Sequence, residues 1–390
     1  MTRNLFAILL ATIMLFVSTV GLAGEEGFKL GVFTQLSGGG AIYGEESQKA
    51  VQMAIEEFNA QGGFNGKKIS LVIYDDQGSP EEAVKAVTKL IEVDKVDAVV
   101  GSILSSCVLA AGGYLNEAKI PTFGTGLSPT WMNKGWEYVF RACVNSDYVM
   151  PLTAEIVKEL GIKSIAIFQG QDDSAIATGA AFKKYCEALG VTVTTVESYL
   201  EGDSDFSGQI AKILNSGAEA AFMSTVGQTY PIFIKQMRLF GYEGIIFNKE
   251  SLPQDAMEVA GDFANYIGFA APYLTYGSTE DCDIPMMKDF LTRYQKAYNS
   301  LPSTDSAYRS YDSMLVLREA IKIAGSTDRD AIKEAIAKVS IPGLGGQLDY
   351  SKGDREGLHS FNKFILINGK NVLIEKWVSS GDYEAWKRMH

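Results

Sequence analysis

The chain holds two histidines in 390 residues, His359 and His390. So sparse a supply leaves little room for histidine-based zinc chemistry, and neither falls at a strand-to-helix junction, where a Ser-His-Asp triad would need one. Cysteine is almost as scarce. Cys107, Cys143, Cys186 and Cys282 stand 36, 43 and 96 positions apart, which matches no Cys-x-x-Cys or zinc spacing. Four cysteines allow three pairings, and the sequence leaves disulfides and free buried thiols equally open. Ten prolines against 39 glycines exclude a collagen-like or Pro-rich chain. Positive charge is also short: 35 Lys and Arg face 47 Asp and Glu, a net charge of -12, which argues against a general binder of nucleic acid or acidic membranes. Nucleotide signatures are missing too. Glycines occur at 31, 38, 39, 40 and 44, but not in G-x-G-x-x-G order, and there is no Walker pattern or G-x-S-x-G elbow.

A long apolar run occurs only at the start. Residues 1–24 read MTRNLFAILLATIMLFVSTVGLAG: a basic residue, an apolar stretch from Leu5 to Val20, then small residues, which is the layout of a secretory signal. Gly21 and Ala23 supply small residues at the -3 and -1 positions, so cleavage is expected after Ala23. The apolar stretch falls short of the roughly 20 residues of a spanning helix. No cysteine follows the expected cut, so no lipoprotein anchor is indicated. The expected product is exported and soluble.

What remains is rich in rhythm. The length is about 2.6 typical domains, so two domains are expected. FKLGVF (28–33) suits a buried parallel strand, and Ala50, Val51, Ala54, Ile55 and Phe58 follow with the period of a helix packed on a sheet. ISLVIY (69–74) is the next strand. Ser79 as N-cap, Pro80 and Glu82 then start a second helix, and VDAVVG closes a βαβαβ unit. The pattern repeats with strands at 164–168, 191–196, 218–223 and 244–247 and helices near 150–160, 178–189, 206–215 and 229–239. Three helices follow at 286–298, 308–324 and 328–338, then a hairpin, FNKFILINGKNVLIEKW, whose Asn368-Gly369 suits a type I′ turn. The fold class is therefore α/β, with two units carrying helices on their sheet faces.

In such sheets ligands sit beyond the carboxyl ends of the strands, near helix N-termini. GSILSSC (101–107) occupies that place after the third strand, and Ser105 and Ser106 offer hydroxyls beside backbone N–H groups; the competing role for Ser105 is simple helix capping. TGLSPTW (125–131) follows the strand IPTF in the equivalent setting, and Glu250 follows the last strand of the second repeat in FNKES. Asp75 and Asp76 end a strand and read as turn residues.

Taken in order, GVFTQLSGGGAIYG, AIEEFNAQGGFNGKKISLVIYDDQGSPEEAV, VVGSILSS, IPTFGTGLSPTW, VFRACVNSD, QMRLFGYEG and GGQLDYSKGD resemble the periplasmic solute-binding proteins of the leucine/isoleucine/valine-binding type. The resemblance covers essentially the whole chain after the leader. It implies a type I periplasmic binding fold: two Rossmann-like lobes with parallel central sheets, joined by three crossovers around a ligand cleft. Carried onto this sequence, lobe one is 27–144 plus 276–354 and lobe two is 145–275 plus 355–390. It also implies a periplasmic, monomeric, non-catalytic protein without cofactor or metal, which closes on a small-molecule ligand and delivers it to an ABC permease complex in the inner membrane. In this reading Ser105 and backbone groups at Thr125 hold an amino acid's carboxylate, and Glu250 holds its ammonium. Tyr43 either covers the side-chain pocket or packs the wall.

Two positions depart from the pattern. A threonine common after the fourth strand is Leu127 here, beside Ser128, and a usual lobe-two tyrosine appears as Ser174, or Ile176 with a different gap. An amide or a small aliphatic or aromatic carboxylate, with Trp131 or Tyr43 as a wall, is therefore the alternative ligand. A soluble sensor serving a membrane receptor is the alternative function.

Overall fold

The structure is a computed structural model; it describes residues 27–389 except 172, 201, 226–228, 283 and 360. The expected leader thus lies outside the described residues. In the first lobe the chain runs β1 (Phe28–Thr34), α1 (Ala41–Ala60), β2 (Ile69–Asp75), α2 (Pro80–Lys89), β3 (Ala98–Gly101), α3 (Ser105–Glu117), β4 (Thr122–Phe123) and β5 (Val139–Val144). It crosses into the second lobe through α4 (Ser146–Glu159), then β6 (Ser164–Gly170), α5 (Asp173–Ala188), β7 (Thr192–Tyr199), α6 (Ser207–Asn215), β8 (Ala220–Ser224), α7 (Thr229–Leu239), β9 (Ile246–Asn248), α8 (Gln254–Ala260) and β10 (Ile267–Ala271). It returns for α9 (Pro285–Tyr298), α10 (Ser306–Ala324), α11 (Arg329–Ile336), β11 (Ser340–Pro342), β12 (Gln347–Asp349) and β13 (Glu356–Leu358). A last crossing leads to β14 (Asn362–Ile367), β15 (Lys370–Leu373), α12 (Ile374–Ser379) and α13 (Asp382–Met389).

Local chemistry accounts for the elements that frame the cleft. Strands such as AVVG in β3 are buried along their whole length, as parallel strands covered on both faces must be. Ser79 caps α2, its hydroxyl accepting from Glu82 N at 3.5 Å with Pro80 in the first turn, as the sequence predicts. At the β14–β15 hairpin Asn368 and Gly369 both have positive φ, 50° and 71°, the geometry a type I′ turn requires. The expected hairpin ends early, however: Trp377 lies in α12, packed among Tyr266, Tyr383 and Trp386. All four cysteines are free and buried.

The strands order as β2-β1-β3-β4-β5-β13-β12-β11 in one sheet and β7-β6-β8-β9-β10-β14-β15 in the other. Each lobe's first strand is thus interior, with successive connections leaving it in opposite directions. That reversal opens a crevice at the strands' carboxyl ends, between β1 and β3 and between β6 and β8. The three crossovers are neighbours, because Val144 pairs with Leu358 in the first sheet and Ala271 with Asn362 in the second. Since β13 hydrogen-bonds to β5, the last passage between sheets follows Leu358, a few residues beyond the expected boundary after 354.

Helix α10 anchors one crossover. Asp312 on it has no exposure, and its carboxyl accepts from Leu344 N at 2.7 Å, Gly345 N at 3.1 Å and the Tyr273 hydroxyl at 2.9 Å. Tyr273 lies two residues past β10, on the second crossover. Burial pushes the Asp312 carboxyl up to about 7 against those three donors. A carboxyl raised on folding binds its proton more tightly in the native state, so its contribution to stability falls as pH rises from the unfolded-state value toward 7. The melting temperature of the native protein relative to Asp312→Asn should therefore decline between pH 4.5 and pH 8, measured by calorimetry at both ends. A constant difference would mean that the Asp312 carboxyl titrates alike in both states.

Candidate functional site

The loops that leave β1, β2, β3 and β4 meet at one end of the first sheet. Two strand-end carboxylates brace them. Asp75 accepts from Leu36 N and Gln77 N, both at 2.8 Å, and the fully buried Asp76 accepts from Ser102 Oγ at 2.6 Å. This is the turn role their sequence suggests. Helix α3 then begins at Ser105. Its N-cap, Leu104, provides no side-chain bond to the first turn, so the amides there retain the partial positive charge of a helix N-terminus.

Ser105 does not cap α3. Its hydroxyl oxygen accepts from Ser128 N at 3.0 Å, which leaves the hydroxyl proton free to donate elsewhere. The 125–128 loop lies so close that a Cβ added to Gly126 would meet Ser105 Oγ at 2.6 Å and Ser105 Cα at 2.8 Å. Only glycine permits that approach. Of the other sequence-predicted residues in this region, Thr125 is buried, Leu127 and Ser128 are half-buried and Ser106 is exposed.

Two buried arginines set the loop's orientation. Arg309 on α10 donates Nη1 to Thr125 O at 3.2 Å and pairs through Nη2 with Asp305. Arg141 on β5 donates Nη1 to Leu127 O at 3.4 Å and Nη2 to Ser128 O. In a trans peptide the carbonyl and the following N–H point in opposite directions. Turning Leu127 O toward Arg141 therefore turns Ser128 N–H toward Ser105. Turning Thr125 O toward Arg309 likewise turns Gly126 N–H the other way, and that N–H has no partner among the described residues. Trp131 stands behind the loop. It is fully buried, its ring 4.2 Å below the Arg141 guanidinium, and a Cβ at Gly124 would meet it at 2.7 Å.

Glu250 follows β9 in the second lobe. Its Oε1 accepts from the Tyr230 hydroxyl at 2.6 Å and lies 3.9 Å from Lys249 Nζ, while Asn248 Nδ2 holds its backbone carbonyl at 2.8 Å. Oε2 makes no hydrogen bond to a described residue, and the side chain is 46% exposed. Tyr43, in the first turn of α1, lies in its field. Burial, then the charges of Glu250 and Asp305, push the Tyr43 phenol above its ordinary range. Tyr230 is pushed well up by burial and Glu250, with Tyr43 adding to it. Tyr43 belongs to lobe one, Glu250 and Tyr230 to lobe two. Ser174 falls in the first turn of α5, but its side chain lies outside the described residues; Ile176, in the same turn, is exposed.

The structure thus gathers Ser105, Thr125, Leu127 and Ser128 at one seat and sets Tyr43 within the field of Glu250. Sequence reasoning missed Gly126, Arg141, Arg309 and Tyr230. One signal was present: a lone arginine inside VFRACV, an otherwise apolar strand, has to be paired when buried. Chemically the arrangement offers N–H and hydroxyl donors at a helix N-terminus in one lobe and a carboxylate in the other. Among the described residues no group of three or more His, Cys, Asp or Glu could hold a metal ion.

The chain is similar to known proteins along most of its length. A Leu/Ile/Val-binding protein homologue of Brucella melitensis is 26% identical over 370 residues, covering 92% of this chain and 97% of that protein. An amino acid binding protein of Pseudomonas aeruginosa is 27% identical over 357 residues, covering 91% of each chain. Among solved structures, a leucine-binding protein from Thermotoga maritima superposes with a TM-score of 0.71 at 25% identity, covering 89% of this chain and 97% of its own. Residues 27–364, across both lobes, match the sequence profile of the periplasmic binding proteins, and the chain belongs to that family.

Proposed function

We propose that the protein is the periplasmic substrate-binding component of an ABC importer and that its ligand is an apolar, branched-chain type L-amino acid. The observation that carries this is a polarity set across the cleft. Ser105 accepts from Ser128 N–H and so keeps a proton to donate, while Glu250, from the other lobe, keeps an oxygen without a hydrogen bond. A zwitterion fits between them. Its carboxylate takes the Ser105 hydroxyl, the Gly126 N–H and the α3 N-terminus, and its ammonium takes Glu250, so charge-assisted bonds replace hydration at both ends. In this reading the side-chain pocket would be formed by apolar groups at the starts of α1 and α5, where Ile42, Tyr43 and Ile176 are 42%, 41% and 43% exposed. Relatives named for leucine, isoleucine and valine support the same ligand class. Because the ligand's two ends engage different lobes, it favours the closed form, and a monomer presents that form to the inner-membrane permease. No covalent step is involved.

A second reading, a carboxylate without an ammonium, draws on two details. Leu127 brings no hydroxyl to the seat, and Lys249 partly offsets Glu250. Thermal unfolding of refolded, ligand-free protein separates the readings. L-leucine, L-isoleucine and L-valine should raise the melting temperature by several degrees at about 100 times their dissociation constants, where binding adds about 2.7 kcal/mol. Their des-amino acids should not. Stabilisation by the des-amino acids alone would transfer the function to organic-acid capture.

Glu250→Gln should weaken L-leucine by about 1.5–3 kcal/mol, the contribution of a hydrogen bond to a charged group. Ser105→Ala should cost less, about 1 kcal/mol, because backbone amides still share the carboxylate. Calorimetric titration checks both. A loss below about 0.5 kcal/mol for Glu250→Gln, with the melting curve intact, would remove Glu250 from the ammonium role.

A further inference from the structure

Arg141 does more than orient one loop. Its Nη1 lies 3.8 Å from Glu356 Oε2, at the start of β13, with both side chains almost entirely buried. The other oxygen of Glu356 accepts from Asn145 Nδ2 at 2.9 Å. Asn145 is the N-cap of α4, its Oδ1 accepting from Asp147 N at 3.0 Å, and it is also the single residue between β5 and α4 on the first crossover. His359, on the third crossover, packs its ring against Tyr148 of α4, with centroids 5.7 Å apart. The backbone on both sides is tied in: Arg141 N donates to Arg355 O at 2.9 Å, and the Tyr350 hydroxyl donates to Arg141 O at 2.8 Å. The first crossover thus reaches, through Glu356, the guanidinium that holds Leu127 O and Ser128 O, and the third packs on the helix the first leads into.

We propose that Arg141 is a positioning residue that couples the carboxylate seat to the crossovers between the lobes, which serve as the hinge, through Glu356 and Asn145, without touching ligand. The proposal rests on the seat as read above. Its physical content is that the guanidinium cannot shift at the hinge end without moving two loop carbonyls. Of the two, Leu127 O fixes the direction of Ser128 N–H, and Ser128 N–H fixes the acceptor side of the Ser105 hydroxyl. A planar fork is needed to reach both carbonyls and Glu356 together, and an ammonium in its place would serve only some of them. The Trp131 face beneath the guanidinium limits where the fork can lie.

The test uses the mature chain with Glu356→Gln and Arg141→Lys, titrated with L-leucine and followed by hydrogen exchange with and without it. Glu356→Gln alters no group of the seat. It should nonetheless weaken L-leucine about tenfold, roughly one charge-assisted contact, and quicken exchange in the ligand-free protein at 124–128 and 145–148 while α1 and β1–β3 keep wild-type rates. Arg141→Lys should lose more, about a hundredfold. If that variant does not fold, Glu356→Gln alone decides. Unchanged affinity for L-leucine in Glu356→Gln, or faster exchange confined to 356–359, overturns the coupling. Faster exchange throughout lobe one would also overturn it, in favour of a general packing role. If wild-type protein ignores L-leucine, the ligand reading fails instead, and the exchange pattern at 124–128 settles the positioning role by itself.

Discussion

A guanidinium with no access to water draws its partners from the protein, and much of the cleft follows from the ones Arg141 has. It takes two carbonyls from one loop, a carboxylate from a strand more than two hundred residues away and the face of Trp131. Had those carbonyls faced the cleft, the seat would present acceptors and repel an anion. Arg309 applies the same logic at Thr125. Its own position depends on Glu46, a buried carboxylate that receives Ser303 N, Ser303 Oγ, Thr304 N and Thr304 Oγ1 just before α10 begins. The loop carbonyls are therefore held from behind, by buried cations.

This separates local from global electrostatics. The chain carries a net charge of -12, yet the seat in lobe one is lined with donors. An acidic surface and a donor-rich pocket are compatible because surface charges are screened by solvent within about 10 Å at moderate salt, whereas buried groups are screened far less. The acid side of the cleft is more open. Glu250 remains 46% exposed, so its carboxylate is still partly hydrated.

Much of the fold was legible from periodicity. The predicted helix at 229–239 matches α7, and 286–298 matches α9 to within a residue. Strand β10 and helix α8 were not read from the sequence, because IGFAA and QDAMEVA are too short for either period to stand out. The site divides along a different line. Ser105, Thr125 and Glu250 follow strands directly, so their place in the crevice is dictated by topology. Gly126 and Arg309 matter through contacts with partners 21 and 184 positions away, and spacing along the chain does not encode such contacts. Tyr230 was hidden for the same reason: it lies within a helix, and only the fold brings its hydroxyl to Glu250.

The interleaving of the lobes also governs how the chain acquires its shape. The first sheet is complete only when β13 joins β5, and the Asn145–Glu356 bond closes a separation of 211 positions. Neither lobe is a contiguous stretch that finishes before the other begins. Sheets assembled from such distant segments form slowly, because the loop-closure entropy is lost before the contacts are gained. While the last hundred residues are still being synthesised, β5 has no β13 to pair with, and the buried arginine of that strand has no carboxylate. The order of the chain thus leaves the pairing of β13 with β5, and with it the approach of Glu356 to Arg141, to the last segments made.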